Sequence, residues 1–350
     1  MAVYIKGIGN ISPQHTAFGA TWLNPPNAAR ENKLSCIEPD YHAWIDPRHT
    51  RRMSRIIKMG VAAAYMALKE SGVERPDAII TGTGYGCLED TGTFLNKMIE
   101  NNERALNPTP FIQSTHNTIG SQIALLLQCQ GYNQTYTHGT FSFENVLLDA
   151  LVQLSEFPER NILAGGIDEI TPVSHQIQTR FGKFRASVDN SLNLFADGAQ
   201  GTLHGEGSAF FVLTGSSSQQ NIARVESVRT YYKPSDAGLM NGIESLLSEA
   251  SIKPGDIDLV LSGTSGDTRI DAQLDRILTS VFALNAIGRF KHLCGEYPVA
   301  SSFALALGAK ILQTQQVPAI VVSIDRPLKH LLIFNQYFGT HYSLILLQAC

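Results

Sequence analysis

A strand-to-helix junction near the middle of the chain has the residue types for acid–base or nucleophilic chemistry. A strand pattern, Tyr132–Thr137, precedes the junction, and a helix pattern from about Ser142 to Leu154 follows it. A side chain at such a turn lies at a helix N-terminus, where free N–H groups favour developing negative charge. Thr140 supplies a hydroxyl there, and His138 could act as its base. The alternative, that Thr140 or Ser142 caps the helix and His138 fills a pocket, is favoured because a hydroxyl ionises poorly.

A glycine-rich run follows a buried strand pattern in the first third of the chain. Residues Ala78–Thr81 lead into Gly82-Thr83-Gly84-Tyr85-Gly86. The run lacks the Gly-x-Gly-x-x-Gly spacing of a dinucleotide site, and no ribose-binding acid follows it at the expected strand end. It therefore favours a structural turn over a nucleotide site.

A second glycine-rich segment, Phe195–Leu213, contains the acids Asp197 and Glu206. Glu206 stands between two glycines at the start of a strand pattern. Acids in this setting more often anchor backbone N–H groups than act on substrates. We therefore expect Glu206 to be structural.

A repeated unit of helix, strand, glycine turn and helix predicts an α/β fold with two similar halves. The first copy comprises a helix of about Arg51–Ser71 with Thr50 as N-cap and Gly72 as C′ residue, the strand and turn described above, and a helix near Glu89–Ile99. The second copy comprises a helix near Ile243–Ala250, a strand and turn over Ile257–Asp267, and a helix of about Asp271–Val281. Each half also has a second buried strand pattern, Asn161–Gly166 and Ala319–Ser323. A further helix is predicted at about Ser114–Leu127, and the polar run Thr214–Gln220 places the boundary between halves 1–215 and 216–350.

Composition excludes several classes of protein. Of 350 residues, 43% are apolar and only 17% charged, which indicates a large interior or a subunit interface. The net charge of −4, without long runs of one sign, argues against binding to nucleic acid or anionic membranes. No apolar run approaches the roughly 18 residues needed to span a bilayer, and Met1–Gly7 has no signal-peptide pattern, so we expect a cytoplasmic protein. The five cysteines are scattered without a Cys-x-x-Cys pair, which indicates reduced thiols and no metal site.

Several segments together resemble a known family. They are Val3–Pro13, Arg51-Arg52-Met53, the turn Gly82–Gly86, the run Asp197–Gly207 and the ending Gly339–Leu344. With these motifs the chain resembles a β-ketoacyl-acyl-carrier-protein synthase, a condensing enzyme of the thiolase-like superfamily. The resemblance spans almost the whole chain.

The resemblance implies a five-layered αβαβα fold built from two similar halves, and a dimer joined through the strand Tyr132–Thr137. It also implies an acyl-cysteine at the strand-to-helix junction and two histidines in the second half that assist decarboxylation of a malonyl unit. The substrate arm would be the phosphopantetheine of an acyl carrier protein, with no other cofactor bound.

The chain departs from this family at each catalytic position. The nucleophile position falls on Thr140, or on Phe141 if the register slips by one. The first histidine is replaced by Ser262; at the second position Lys291 is retained but the histidine has become Glu296. A threonine cannot ionise as a cysteine does, and an ionised carboxylate would repel a developing enolate.

The resemblance and these replacements together indicate a chain-length-factor-like subunit. Such a protein would complete a dimer with a competent ketosynthase and shape the tunnel for the growing chain. Its acyl-binding candidates are His138, Phe141, Phe143 and Phe338. A homodimer could form where the partner is missing.

The alternative is an active condensing or acyl-transfer enzyme with a displaced nucleophile. Cys294, beside His292 and Glu296, is the leading candidate, and Thr140 is the second. In either case a loop at Gln176–Arg185, with basic residues at 180, 183 and 185, could face an acidic carrier protein.

Overall fold

A computed structural model describes residues 3–17, 22–196 and 198–350; Met1 and Asp197 of the segments above lie outside the described residues. Within them the strands are β1 (Val3–Ile11), β2 (Lys33–Leu34), β3 (Ala78–Gly82), β4 (Tyr132–Tyr136), β5 (Asn161–Asp168), β6 (His204–Gly205), β7 (Gly207–Thr214), β8 (Ala223–Tyr232), β9 (Leu259–Ser262), β10 (Ala286–Arg289), β11 (His330–Tyr337) and β12 (His341–Ala349). The helices of the same residues are α1 (Pro47–Thr50), α2 (Arg55–Ser71), α3 (Leu88–Glu100), α4 (Pro108–Ser114), α5 (Thr118–Leu127), α6 (Ser142–Glu156), α7 (Pro172–Arg180), α8 (Asp236–Glu249), α9 (Thr268–Val281), α10 (Lys291–Cys294) and α11 (Ala300–Thr314).

Two sets of five strands follow the same plan. Within the described residues, ten strands form one sheet in the order β10-β9-β11-β12-β8-β1-β7-β5-β3-β4. The first set is β1, β3, β4, β5 and β7, and the second is β8, β9, β10, β11 and β12. Counted along the chain within each set, the fifth strand pairs antiparallel with the first and with the fourth. The second strand pairs in parallel with the third and with the fourth. The sets meet where Val3–Ile5 of β1 pairs with Ala223–Val225 of β8. The predicted α/β fold of two similar halves is confirmed.

Helices cover and separate the two sets of strands. Helices α2 and α5 pack on the outer face of the first set, and α8 and α9 cover the outer face of the second. Helices α6 and α11 lie between the sets and contact strands of both. Alternation along β7 shows the layering, because Phe210 and Val212 join the outer core while Phe211 and Leu213 join the central one.

Helix α2 begins four residues later than predicted. Its N-cap is Ser54, because Pro47 starts the separate short helix α1, which ends at Thr50. The predicted N-cap Thr50 is therefore wrong. Gly72 does end α2 with a φ of 69°, as its position predicted.

Two further predictions of elements need correction. The run Ala319–Ser323 is not a strand, because Val321 N–H donates to Pro318 O at 2.8 Å in a turn. The place of the predicted strand in the sheet is taken by β11. The helix expected over Ser114–Leu127 is divided into α4 and α5, with an extended residue, Thr115, after the first.

Among the helices of the described residues, none combines the length and the hydropathy needed to cross a membrane.

Candidate functional site

The junction between β4 and α6 is a single turn of 3-10 helix, Gly139–Phe141. Gly139 has a φ of 68°, a conformation that glycine adopts without strain. The Thr140 side chain is buried, and its hydroxyl has no hydrogen-bond partner in the part of the chain that the structure describes. Ser142 Oγ donates to Thr83 O at 3.0 Å, and α6 has no side-chain cap. The predicted capping by Thr140 or Ser142 is therefore wrong.

Aromatic rings surround this junction. His138 is exposed rather than in a pocket, and its ring stacks on Phe141 at 5.6 Å between centroids. Phe141 in turn meets the ring of His341 edge-on at 4.9 Å. Phe143 is fully buried in the central layer, with its ring 5.8 Å from that of Phe211. We call the rings of His138, Phe141, Phe143 and His341 at this junction the aromatic wall. Among the described residues His138 makes no hydrogen bond to Thr140.

The second-half candidates converge at the ends of β9 and β11. Ser262 ends β9, and its buried hydroxyl shares a hydrogen bond with Thr264 Oγ1. Lys291 Nζ donates to Glu296 Oε2 at 2.6 Å and also to Gln336 O. Lys291, Glu296 and Gln336 thus form one buried cluster, and Ser262 pairs with Phe334, two residues before Gln336 on β11.

Glu296 is the buried acid of this cluster. Burial raises its pKa to about 7, while the Lys291 ammonium opposes that shift and Asp271 adds to it. Its Oε1 atom is buried and has no hydrogen-bond partner within residues 3–17, 22–196 and 198–350. Glu296, which the family resemblance assigns to the second histidine position, is therefore a lysine-bound carboxyl group.

Cys294 lies beside this cluster but is unsuited to nucleophilic attack. Its thiol is fully buried and donates to Gly295 O at 3.3 Å. Burial raises its pKa well above the usual range. Because the thiolate is the reactive form, this environment disfavours the displaced-nucleophile alternative.

Glu206 is buried and holds several elements together. Its carboxylate accepts two hydrogen bonds from the Arg55 guanidinium at 2.6 and 2.8 Å. It also accepts backbone N–H groups from Cys36 and Ile170, each at 2.8 Å. These contacts tie the start of β7 to α2 and to the loop after β5.

The turn after β3 reaches the second half. Asp168 Oδ1 accepts Thr83 Oγ1, Gly84 N–H and Tyr85 N–H at 2.9 to 3.0 Å, which fixes the turn. The Tyr85 hydroxyl is 2.9 Å from that of Tyr337. Sequence reasoning missed Asp168 and Tyr337; for Asp168 the available signal was an acid at the end of a buried strand pattern.

Phe338 follows Tyr337 in a left-handed conformation, with a φ of 46°. Its half-buried ring has the Lys183 ammonium 4.9 Å from its centroid. The ring of Phe184 lies 6.2 Å away. Two histidines that sequence reasoning also missed, His175 and His204, stack against Phe184.

The expected carrier-facing loop differs from its prediction. Residues up to Arg180 belong to α7, and Arg185 is buried. The Arg185 guanidinium donates to the carbonyl oxygens of Gly201, Leu194 and Gly266. Arg185 therefore cannot contact a carrier from the surface.

A basic cleft lies elsewhere, between the α1–α2 connection and α4. It has a volume of about 1100 Å³, and the exposed residues Arg48, Arg51 and Arg52 line it. Across the described ranges, no group of three or more His, Cys, Asp or Glu side chains is placed to hold a metal ion.

Comparisons of the sequence identify a matching family model and related proteins. Residues 7–219 match the model of the β-ketoacyl synthase N-terminal domain. A 3-oxoacyl-[acyl-carrier-protein] synthase 2 of Staphylococcus aureus is 22% identical over 334 residues, which cover 84% of this chain and 77% of the relative.

Solved structures share the whole fold. A chain of the ishigamide ketosynthase/chain length factor matches with a TM-score of 0.84 and 18% identity, covering 100% of this chain and 99% of the other. A type II polyketide synthase ketosynthase in complex with its acyl carrier protein matches with a TM-score of 0.79 and 13% identity, over 99% of each chain. A β-ketoacyl synthase of Burkholderia phymatum matches at 0.73 and 15% identity, again over 99% of each. These likenesses confirm the thiolase-like fold, and the family match shows that this chain belongs to the β-ketoacyl synthase family.

Proposed function

We propose that this protein is a non-catalytic, chain-length-factor-like subunit that shapes the acyl tunnel of a ketosynthase partner in fatty-acid or polyketide synthesis. The observation that carries the proposal is that Thr140, Ser262 and Glu296 stand where the family resemblance assigns the catalytic Cys-His-His set. In the folded chain Glu296 is bound to Lys291, which leaves no neutral imidazole at that position. Because such a subunit works with carrier proteins, it would act in the cytoplasm.

The partner would pair with this chain at the free edge of β4. Within the described residues this strand pairs with β3 on one side only, so its other edge offers backbone groups to a second strand. Two exposed apolar side chains lie on this strand or on a helix packed against it, Tyr132 on β4 and Leu125 on α5. An exposed apolar patch beside an open strand edge is typical of a protein interface.

The acyl tunnel would run along the aromatic wall at the start of α6. Phe141 and Phe143 would set its width, with His138 at its outer margin. Phe338 would line the entrance on the second-half side, where the phosphopantetheine arm of the carrier protein enters.

The carrier protein would dock on the cleft lined by Arg48, Arg51 and Arg52. Complementary charge steers and orients association between a basic surface and an acidic partner. A matching structure contains a ketosynthase with its acyl carrier protein, which supports a carrier as partner.

The alternative function, an active acyltransferase or β-ketoacyl synthase, has weaker support. The Cys294 thiol is buried with a raised pKa. Within the described residues Thr140 has no base hydrogen-bonded to its hydroxyl, and His138 stacks on Phe141 instead.

Co-expression with a ketosynthase encoded nearby that retains Cys-His-His tests the proposal. We expect the two chains to co-purify, and Phe141→Ala to shift product length by mass spectrometry while acylation of the partner cysteine stays unchanged. Val173→Ala, on an exposed face of α7, is the matched control. A chain that stays monomeric beside its partner and alters neither yield nor product length would refute the proposal.

Intact-mass analysis of this chain alone separates the two functions. Incubated with acyl-carrier protein or acyl-CoA, it should gain no stable adduct. An adduct lost in Thr140→Ala or in Cys294→Ser would instead identify an active enzyme and its nucleophile.

A further inference from the structure

Two histidines next to the altered site hydrogen-bond to each other. His204 lies in the short strand β6 and is 2% exposed, and His175 lies on α7. Their Nδ1 atoms are 3.0 Å apart, so one of the two must carry the proton and the other must accept it.

An asparagine determines which nitrogen carries each proton. Asn32 Nδ2 donates to Arg185 O at 2.8 Å, so its amide oxygen is the atom that faces His175. That oxygen lies 3.0 Å from His175 Nε2, which must therefore be protonated. Partial burial lowers the pKa of His175, so its neutral form has only Nδ1 left to accept.

The consequence is a defined tautomer at His204. Because His175 Nδ1 accepts, His204 Nδ1 must donate, and the lone pair of a neutral His204 is left on Nε2. Burial lowers the pKa of His204 to about 3, and the nearby Lys183 ammonium acts in the same direction. Stacking on Phe184 at 4.3 Å and 11° fixes the orientation of the ring.

His204 is paired through its backbone with Glu296. His204 and Glu296 form a parallel β-bridge, in which Gly205 N–H donates to Glu296 O at 3.0 Å and Glu296 N–H to Leu203 O at 2.8 Å. Bridge partners project their side chains to the same face. Glu296 Oε1 is buried without a partner in the described ranges, and the bridge makes His204 its neighbour across the two strands.

A buried acceptor without a donor, as Glu296 Oε1 is beside His204, costs free energy unless a ligand satisfies it. A donor would reach these two residues past Phe184 and Phe338, whose rings are 6.2 Å apart, with Lys183 over the second ring. Both aromatic side chains and the Lys183 methylenes suit an apolar chain that carries an occasional N–H or O–H group.

We infer that His204 is a substrate-binding residue, whose Nε2 accepts a hydrogen bond from an N–H or O–H group of the carrier-borne chain. Asn32 and His175 are positioning residues that hold it in the required tautomer. The inference rests on the proposed function, since that function brings the chain to this site. Two groups of the carrier-borne chain could donate this hydrogen bond: an amide N–H of the pantetheine arm or a hydroxyl of the acyl group.

The tautomer is tested first, on the full chain labelled with ¹⁵N-histidine at neutral pH. Long-range ¹H–¹⁵N spectra should show His204 protonated at Nδ1 and unprotonated at Nε2, with assignment by His204→Phe. A His204 protonated at Nε2 would overturn the inference. The measurement uses the wild-type protein without a partner. His204→Phe, used for assignment, is the one variant that must fold.

Binding is tested second, by titrating pantetheine alone and matched N-acetylcysteamine thioesters with and without a 3-hydroxyl. His204→Phe, which keeps the stacking on Phe184, should weaken binding by about two- to tenfold. Loss of pantetheine binding identifies the amide as donor, whereas loss confined to the hydroxylated thioester identifies the hydroxyl.

His330→Phe is the control, because His330 is also buried but lies at the opposite end of β11 from Gln336. Equal affinities of wild type, His204→Phe and His330→Phe for every ligand would refute a binding role. Neither test measures product length. A negative result for His204 can therefore be distinguished from a negative result for the chain-length proposal.

Discussion

Lys291 Nζ lies 2.6 Å from Glu296 Oε2 at a place where neither side chain reaches solvent. A second hydrogen bond from the ammonium to Gln336 O helps to replace the water that Lys291 loses. Each charge is therefore tolerated only in the presence of the other, which links the identity of residue 296 to the retained lysine.

Removing the carboxylate should destabilise the fold strongly. Glu296→Gln leaves the buried Lys291 ammonium without its counter-charge, and we expect the free energy of unfolding to fall by about 3–5 kcal/mol. Urea denaturation measures it. Glu249→Gln breaks an exposed pair with Arg229 and should change the free energy of unfolding far less, because solvent screens that pair. Equal losses in the two variants would contradict an ionised buried pair.

Gly84 is a point of close approach between the two halves. A Cβ atom added at Gly84 would lie 2.3 Å from Pro298 Cβ, so Gly84→Ala forces the turn away from the start of α11. We expect a loss of about 1–3 kcal/mol in the free energy of unfolding, measured by urea denaturation. Gly92→Ala, on α3 with no atom within 4 Å of the new Cβ, should instead stabilise by about 0.5–1 kcal/mol. Two variants of similar stability would show that the turn can move freely.

The stability contributed by Asp168 should decrease as pH rises. Burial raises the pKa of Asp168 to about 7, although three hydrogen bonds from the turn oppose the shift. Between about pH 4 and pH 7 the folded state then holds a proton that the unfolded state has released, so the free energy of unfolding falls by up to about 1.4 kcal/mol per pH unit.

Asp168→Asn has no such proton, so wild type should lose stability relative to this variant across that range. Denaturation midpoints at several pH values give the difference. A constant difference between pH 4 and pH 7 would mean that Asp168 is ionised throughout.

Thiol reactivity should separate Cys294 from the exposed cysteine. In the native protein, N-ethylmaleimide should label Cys350 and leave Cys294 unmodified, because one is exposed and the other fully buried. Peptide mass spectrometry locates the label, and unfolding in urea should expose Cys294. Rapid native labelling of Cys294 would restore the displaced-nucleophile alternative.

Charge reversal in the basic cleft should weaken carrier binding. Arg51→Glu with Arg52→Glu removes two exposed cations and adds two anions, so we expect at least tenfold weaker binding of acyl carrier protein, about 1.4 kcal/mol. The effect should shrink as salt screens the charges. Lys329→Glu, an exposed site elsewhere, should leave the affinity unchanged. A double variant that binds as tightly as wild type would exclude this cleft.

Local patterns predicted the elements that glycines and apolar periodicity define. Helices α6 and α9 and strand β3 were recognised in this way, and so was Gly72 at the end of α2. The prediction of a strand at Ala319–Ser323 was wrong because a short apolar segment fits a buried turn as well as a strand.

The contacts within the site were beyond local patterns. Lys291 and Glu296 are five residues apart and meet only because Gly295 reverses the chain with a φ of 77°. His175 and His204 are separated by 29 residues and by a change from helix to strand. Side-chain proximity of this kind depends on the packed fold, which periodicity alone does not encode.

The central layer has a consequence for the origin and division of the chain. Twelve of the fifteen residues of α11 are buried, and its contacts come from strands of both halves, as do those of α6. Neither fragment, 1–215 or 216–350, could shield its inner helix alone, so the separately expressed fragments should stay insoluble and become soluble only when co-expressed. By the same logic, a single-copy ancestor of the duplicated unit would have been an obligate homodimer, and gene fusion would have made that association intramolecular.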